Sequence, residues 1–263
     1  MARLFVTGLG GYLGRELGAR ARAAGWEVTG IEGSAQLDVR DAAAVRRAVG
    51  EARPDVVVHT AYRMDDASVN VDGTRSVVAA AAGVGARLVH LSTDVVFGDG
   101  DRPLTEDDAP DPVTPYGAAK LEAERVCPPG ALMVRTSLLY GGEVPSPHEV
   151  TAIEAAAGVR DMTFFTDEVR CPTMVGDLAA ALLELAALDV SGPLHVAGAD
   201  ALTRLEFARL VAAHHGQDPG ALRGGTGGPG RPKRLALDCS RARALLGVRL
   251  RGAGEVLNAR GPG

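Results

Sequence analysis

The chain has 263 residues, 46% of them apolar and only 4% aromatic, with a formal charge of −5. That length suits one large α/β unit carrying a cap, and the acidic balance argues against a nucleic-acid-binding surface. Cys127, Cys171 and Cys239 lie far apart with no Cys-x-x-Cys spacing, and no apolar run approaches the ~20 residues needed to cross a bilayer. The expectation is a cytoplasmic protein with reduced thiols and no membrane partner. The first strand-like run begins at Arg3, leaving no room for a signal peptide. The six histidines show no i, i+4 zinc spacing, so no metal is expected.

A strand over Arg3–Thr7 runs into Gly8-Leu9-Gly10-Gly11-Tyr12-Leu13-Gly14 and then a helix ending near Gly25. Thr-Gly-x-x-Gly-x-x-Gly between a strand and a helix is a dinucleotide-binding turn. Gly8 permits the tight turn, Gly11 lets backbone approach a pyrophosphate, and Gly14 allows close helix–strand packing. The helix N-terminus offers free N–H groups and a positive dipole end. A second strand, Glu27–Ile31, ends at Glu32, eighteen residues beyond Gly14. An acid there accepts the ribose hydroxyls of NAD and repels the 2′-phosphate of NADP. The nearest following arginine is Arg40. NAD(H) is therefore preferred, with NADP(H) as the second option.

A helix from about Asp41 to Glu51, a strand over 55–59, a helix over 68–82 and a strand over 86–92 continue the alternation. Apolar strands alternating with helices predict parallel strands joined by right-handed crossovers. Thr93 then stands at the carboxyl end of a strand, where such folds build their sites. Next, Thr114 can cap a helix over 114–126, with Pro115 in its first position. Tyr116 and Lys120 share one face of that helix. A phenol is a poor acid at neutral pH unless its anion is stabilised, and a neighbouring ammonium does that. Thr93 would hydrogen-bond the reacting oxygen, which makes this a carbonyl/alcohol site in need of a hydride carrier.

After a strand over 131–136 the alternation is lost from Gly141 onward. A short helix, the strand Met162–Phe165, a helix capped by Asp177 and running to Leu188, a strand over 192–196 and a helix from the Thr203 cap to His214 are predicted. Residues 216–234 read as a mobile loop, Asp238–Leu246 as a last short helix and 252–263 as a flexible tail. Arg231, Lys233 and Arg234 could clamp a diphosphate or form a solvated basic loop; both readings stay open.

With these residues in hand, the chain resembles the extended short-chain dehydrogenase/reductases, and among them the dTDP-4-dehydrorhamnose reductase group. The marks are Thr7–Gly14, Val69-Asn70-Val71-Asp72-Gly73-Thr74, Ser92-Thr93-Asp94-Val95-Val96-Phe97, Tyr116 with Lys120, Val134–Gly141, Pro172-Thr173 with Asp177-Leu178-Ala179, and Arg231-Pro232. The resemblance implies a Rossmann-type doubly wound parallel sheet over 1–141 and a small mixed α/β cap over 142–251, some of whose segments return to the first domain. It implies Thr93, Tyr116 and Lys120 as catalytic residues. The cofactor would lie against Gly8, Gly10, Gly11, Tyr12, Leu13 and Gly14 on one side. Thr60, Ala61, Tyr62, Leu91, Tyr116 and Lys120 would face it on the other, with Glu32 at the ribose and Asp38-Val39 at the adenine. Substrate would meet Thr93, Asp94, Val95, Tyr116, Arg170 and Arg231.

The function implied is NAD(P)H-dependent reduction of a keto group on a dTDP-like nucleotide-linked 4-keto-6-deoxysugar, by a monomer or homodimer. An NAD-dependent dehydrogenase or epimerase of another sugar or small alcohol, or a non-catalytic NAD(P)-binding regulator like the methionine adenosyltransferase β subunit, are the alternatives. Val95 stands where sugar-nucleotide dehydratases resemble one another in carrying an acid, so dehydration is not expected.

Overall fold

A computed structural model describes residues 1–259, and five of the six strands of its main sheet come from residues 1–141. In chain order come β1 (Arg3–Thr7), α1 (Tyr12–Ala23), β2 (Glu27–Ile31), α2 (Ala42–Ala52), β3 (Val56–His59), α3 (Ala67–Gly83), β4 (Arg87–Thr93), α4 (Pro115–Arg125) and β5 (Leu132–Thr136). The second half supplies β6 (Leu139–Tyr140), α5 (Pro147–Ala156), β7 (Thr163–Phe165), β8 (Val169–Arg170), β9 (Thr173–Met174), α6 (Val175–Ala187), β10 (Gly192–His195), β11 (Leu202–Thr203), α7 (Arg204–His214), β12 (Arg223–Gly225), α8 (Ser240–Leu245) and α9 (Ala253–Asn258).

Six strands pair in the order β10-β5-β4-β3-β1-β2, every pairing parallel. The fold is an α/β sheet of Rossmann type. Its order reverses between β1 and β3, the switch point outside whose carboxyl ends such sheets bind ligands. β3 is buried throughout, as an apolar β-branched run with layers on both faces must be. One core joins α1 and α6 to the sheet, and another packs α2 and α3 on the opposite face.

The cap has its own apolar core, in which Tyr140, Phe164 and Phe207 pack with Ala253 and Leu257. The tail expected over 252–263 is therefore a docked helix, α9, because its apolar positions are buried in this core; 260–263 lie outside the described residues. The loop expected over 216–234 is not free either. It contributes β12, which pairs with β7, and it is tied down where the Lys233 Nζ meets Asp167 at 2.8 Å. Asp177 does not cap α6, whose N-cap Met174 makes no side-chain capping bond; the Asp177 carboxylate instead receives the Arg251 guanidinium at 2.7 Å. No helix among the described residues is long and apolar enough to cross a membrane.

β3 and β4 carry a buried pair at matched positions, His59 opposite His90, with ring centroids 5.3 Å apart. Burial, and then the Lys120 charge, push His59 down to about 3 and His90 well below the usual imidazole value. Both are neutral in the fold but protonate in the unfolded chain below about pH 6.5. Stability from this pair is thus fully present above that pH and is lost as pH falls toward about 3. Thermal melts are expected to show a midpoint that declines steadily as pH drops below about 6.5. A midpoint constant over that range would contradict the assignment.

Candidate active site

The glycine turn forms because bulk is excluded at two points. Gly8 has φ of +73°, a left-handed conformation that favours glycine. A Cβ on Gly14 would sit 2.0 Å from the Gly8 carbonyl, so α1 can begin directly over the turn only without one. α2, α3, α4, α5 and α7 each carry a side-chain N-cap, but Gly11 gives α1 none, leaving the N–H groups of its first turn without a side-chain acceptor. That cradle fits a pyrophosphate.

Leu9 and Gly10 donate to the carbonyls of Ile31 and Glu32 at 2.8 and 3.0 Å, which brings the exposed Glu32 carboxylate to the rim of the turn. Opposite, the Thr60 hydroxyl donates to the Thr7 carbonyl at 2.6 Å and the Ala61 N–H to the Thr7 hydroxyl at 3.3 Å. Four expected cofactor residues are committed elsewhere. Leu13 and Val39 are buried in the apolar cores, leaving only backbone to a ligand. The Asp38 carboxylate is held by Arg40, which lowers it to about 2. Tyr12 turns its hydroxyl to the cap, accepting from the Gly142 N–H at 2.8 Å and donating to Glu149.

Thr93 ends β4, and its hydroxyl donates to Asp94 at 3.2 Å while accepting the Val95 N–H at 3.4 Å. α4 starts as its cap requires, with Thr114 accepting from the Gly117 N–H at 3.0 Å. Gly117 is the residue that seats this helix. Its Cβ would lie 2.0 Å from the Val95 carbonyl, so the first turn of α4 rests on the backbone just beyond Thr93. One turn later the Lys120 Nζ donates to the Leu91 carbonyl at 2.7 Å and lies 3.3 Å from His90 Nε2. Beneath it, Glu124 and Arg135 form a buried pair at 2.7 Å that also binds Ser92, pinning α4 to β4 and β5. The helix that carries Tyr116 and Lys120 is thereby fixed against the end of β4 where Thr93 stands, with Tyr116 within electrostatic reach of Asp94.

Burial raises the Tyr116 phenol well above the ordinary tyrosine range, helped by Tyr62 (ring centroids 6.0 Å apart) and by Asp94. The lowering expected of Lys120 is not seen: burial, Tyr62 and Asp94 all raise this phenol, and the ammonium points at Leu91 and His90. Lys120 itself falls to about 8, through burial against the opposing pull of Glu124 and Cys127.

Two expected substrate contacts are internal braces. Asp94 is buried, accepting from the Ser137 hydroxyl at 2.6 Å with Arg170 Nε at 4.0 Å. Arg170 is buried as well, its guanidinium donating to the Val169 and Pro232 carbonyls at 2.8 and 2.9 Å. Arg231 is half-exposed but paired with Glu168 and stacked on Phe165 at 4.7 Å. Val95 is half-buried beside Thr93. Gly117, Ser137, Glu168, Arg204 and His148 were not legible as site residues. Only the Thr203 cap, which places Arg204 at the start of α7, offered a signal. Gly117→Ala is expected to cut turnover by ~10²-fold, because it displaces Tyr116 from Thr93, while nicotinamide-dinucleotide affinity stays within about twofold. Turnover near wild type would show that α4 is not seated by this contact.

A family model described as the RmlD substrate binding domain matches residues 2–258. A dTDP-4-dehydrorhamnose reductase of Mycolicibacterium smegmatis is 38% identical over 84% of this chain and 72% of its own length. The methionine adenosyltransferase 2 subunit beta of Bos taurus is 30% identical over 92% of this chain and 82% of its own. Among solved structures, a Bacillus anthracis dTDP-4-dehydrorhamnose reductase in complex with NADP superposes with a TM-score of 0.86 at 26% identity, covering 98% of this chain and 97% of that one. Because that family model spans the turn, the tyrosine helix and the cap alike, the chain belongs to the RmlD substrate-binding-domain family.

Proposed function

We propose that the protein is an NAD(P)H-dependent reductase of the keto group on a dTDP-like nucleotide-linked 4-keto-6-deoxysugar, with Tyr116 as the proton donor. The observation that supports this is the seating of α4, the helix of Tyr116 and Lys120, on the Thr93 end of β4 through Gly117 and Lys120, in a chain whose α1 begins with an uncapped glycine turn. The reductases of Mycolicibacterium smegmatis and Bacillus anthracis support the substrate class, and the NADP of the latter supports the cofactor class. When bound, the dinucleotide supplies hydride.

The chain's own residues handle the oxygen and the proton. The Thr93 hydroxyl rests on Asp94 at a long 3.2 Å and is free to turn toward the carbonyl oxygen. Tyr116, with its pKa raised by burial, keeps its proton at neutral pH and delivers it as negative charge develops on that oxygen. The Lys120 ammonium offsets the tyrosinate left behind, and it acts there in a poorly solvated place where a charge is felt strongly. Glu32 at the rim of the turn favours NAD(H) over NADP(H), since Arg40 is engaged by Asp38 and Asp66 and gives no anchor for a 2′-phosphate. Three free cysteines fit a cytoplasmic enzyme, working as a monomer or homodimer.

The bovine β subunit favours a second reading, a dinucleotide-binding regulator. One experiment separates the two: purified protein, NADH or NADPH, and a panel of keto-sugar nucleotides, followed by loss of nicotinamide absorbance. Tyr116→Phe is expected to lower turnover by ~10³-fold with cofactor affinity nearly unchanged; unaltered turnover removes the acid role. The rate should hold through neutral pH and fall along a one-proton limb near pH 8, as Lys120 loses its charge. Glu32→Ala should raise NADPH use relative to NADH, and an unchanged ratio removes the reading of Glu32. No oxidation of NADH or NADPH with any keto sugar would leave the regulator.

A further inference from the structure

Three cations gathered around Asp167 and Glu168 in the cap already have carboxylate partners. Arg170 lies 4.0 Å from Asp94 and 3.8 Å from Glu168. Arg231 is paired with Glu168, and Lys233 with Asp167 at 2.8 Å. Arg204 is the exception. Among the described residues its guanidinium has one polar neighbour, His148 Nδ1 at 3.4 Å, and no carboxylate partner.

Arg204 is set firmly in place. It is the first residue of α7, held by the reciprocal Thr203–Glu206 cap, and its backbone N–H donates to the Glu168 carbonyl at 2.9 Å. Its side chain is partly buried, and that burial together with the like charge of Arg170 weakens its hold on its proton. Asp94 and Glu168 act on it in the opposite sense from a distance. A guanidinium placed this way, beside other arginines and without an anion, is costly unless one arrives with a ligand. His148, on α5, is neutral: burial and the Arg204 charge push it down to about 4. Its Nδ1 faces the guanidinium as an acceptor, which puts its proton on Nε2 as a further donor.

We propose that Arg204 and His148 form an anion subsite of the cap that takes phosphoryl oxygens of the substrate's nucleoside diphosphate. A planar fork of N–H groups plus an imidazole N–H matches phosphoryl oxygens. The dinucleotide cofactor also carries a pyrophosphate, but the glycine turn before α1 is the cradle for that one. Arg204 lies on the cap side, within electrostatic reach of Asp94, next to the residue that would hold the keto oxygen. The inference deepens the reductase reading and rests on its substrate class.

The test is calorimetric titration of the full-length protein with dTDP, thymidine and NADH, for wild type, Arg204→Gln, Arg204→Lys and His148→Gln, with melting temperatures to check folding. Arg204→Gln is expected to weaken dTDP binding by tenfold or more, roughly the loss of one charge-assisted contact. Arg204→Lys should fall in between and His148→Gln should lose less. Thymidine and NADH affinities should stay put, and the KM for the keto-sugar nucleotide should rise more than kcat falls. Unchanged dTDP affinity in folded Arg204→Gln overturns the subsite. Equal loss for thymidine, or loss for NADH instead, overturns it too, in the second case by assigning the arginine to the cofactor. Wild-type protein that binds NADH but neither dTDP nor another nucleoside diphosphate sinks the substrate class itself, and the subsite with it.

Discussion

Lys120 carries a charge into the interior, where its Nζ meets a backbone carbonyl at 2.7 Å and a neutral imidazole at 3.3 Å rather than a carboxylate. Removing an ammonium from water is expensive, so the fold must hold those two acceptors in place. They are consecutive residues, His90 and Leu91, of the strand that ends at Thr93. The lysine thus ties α4 to β4 at the level where the site must form, one turn after Tyr116. Glu124, one turn further on, repeats the arrangement with Arg135 and Ser92. Each half of the strand edge is fixed to the same helix by a buried polar contact, and the tyrosine has little freedom to drift.

Around that tether, the site is shaped by backbone meeting backbone. Gly14 lets α1 rest on the Gly8 carbonyl, Gly117 lets α4 rest on that of Val95, and Gly30 lets β2 approach that of Val6; an added Cβ would lie 2.0 Å away in each case. Such contacts leave no slack for repacking, because neither partner is a flexible side chain. Charge in the cap follows a different logic. Asp94, Arg170, Glu168 and Arg231 form a linked series that joins the cap to the sheet and satisfies its own members. That closure is why groups that looked like ligand contacts in the sequence prove to be struts.

The sheet was legible because its strands are short apolar runs between helices, one of which announces its start by the Thr114 cap. The turn over Gly8–Gly14 and the Tyr116–Lys120 spacing were legible for the same reason: both are local. What was not legible depends on contacts distant in sequence. Arg170 is spent on Pro232, which lies 62 residues away, and α9 is ordered by packing on α7, so composition alone read it as a tail. Glycine and proline between 216 and 234 signalled a loop correctly in part, but could not show that Arg223–Gly225 would pair with β7. The raised Tyr116 pKa was hidden likewise, since it depends on burial and on Tyr62 and Asp94, neither of them local to the helix in sequence.

A crystal structure with the reduced dinucleotide and a keto-sugar nucleotide bound tests the site most directly. The expected result has the keto oxygen within hydrogen-bond distance, about 3 Å, of both the Tyr116 and Thr93 hydroxyls. A keto oxygen that meets neither, or a phenol turned away from the nicotinamide, would contradict reduction at this site.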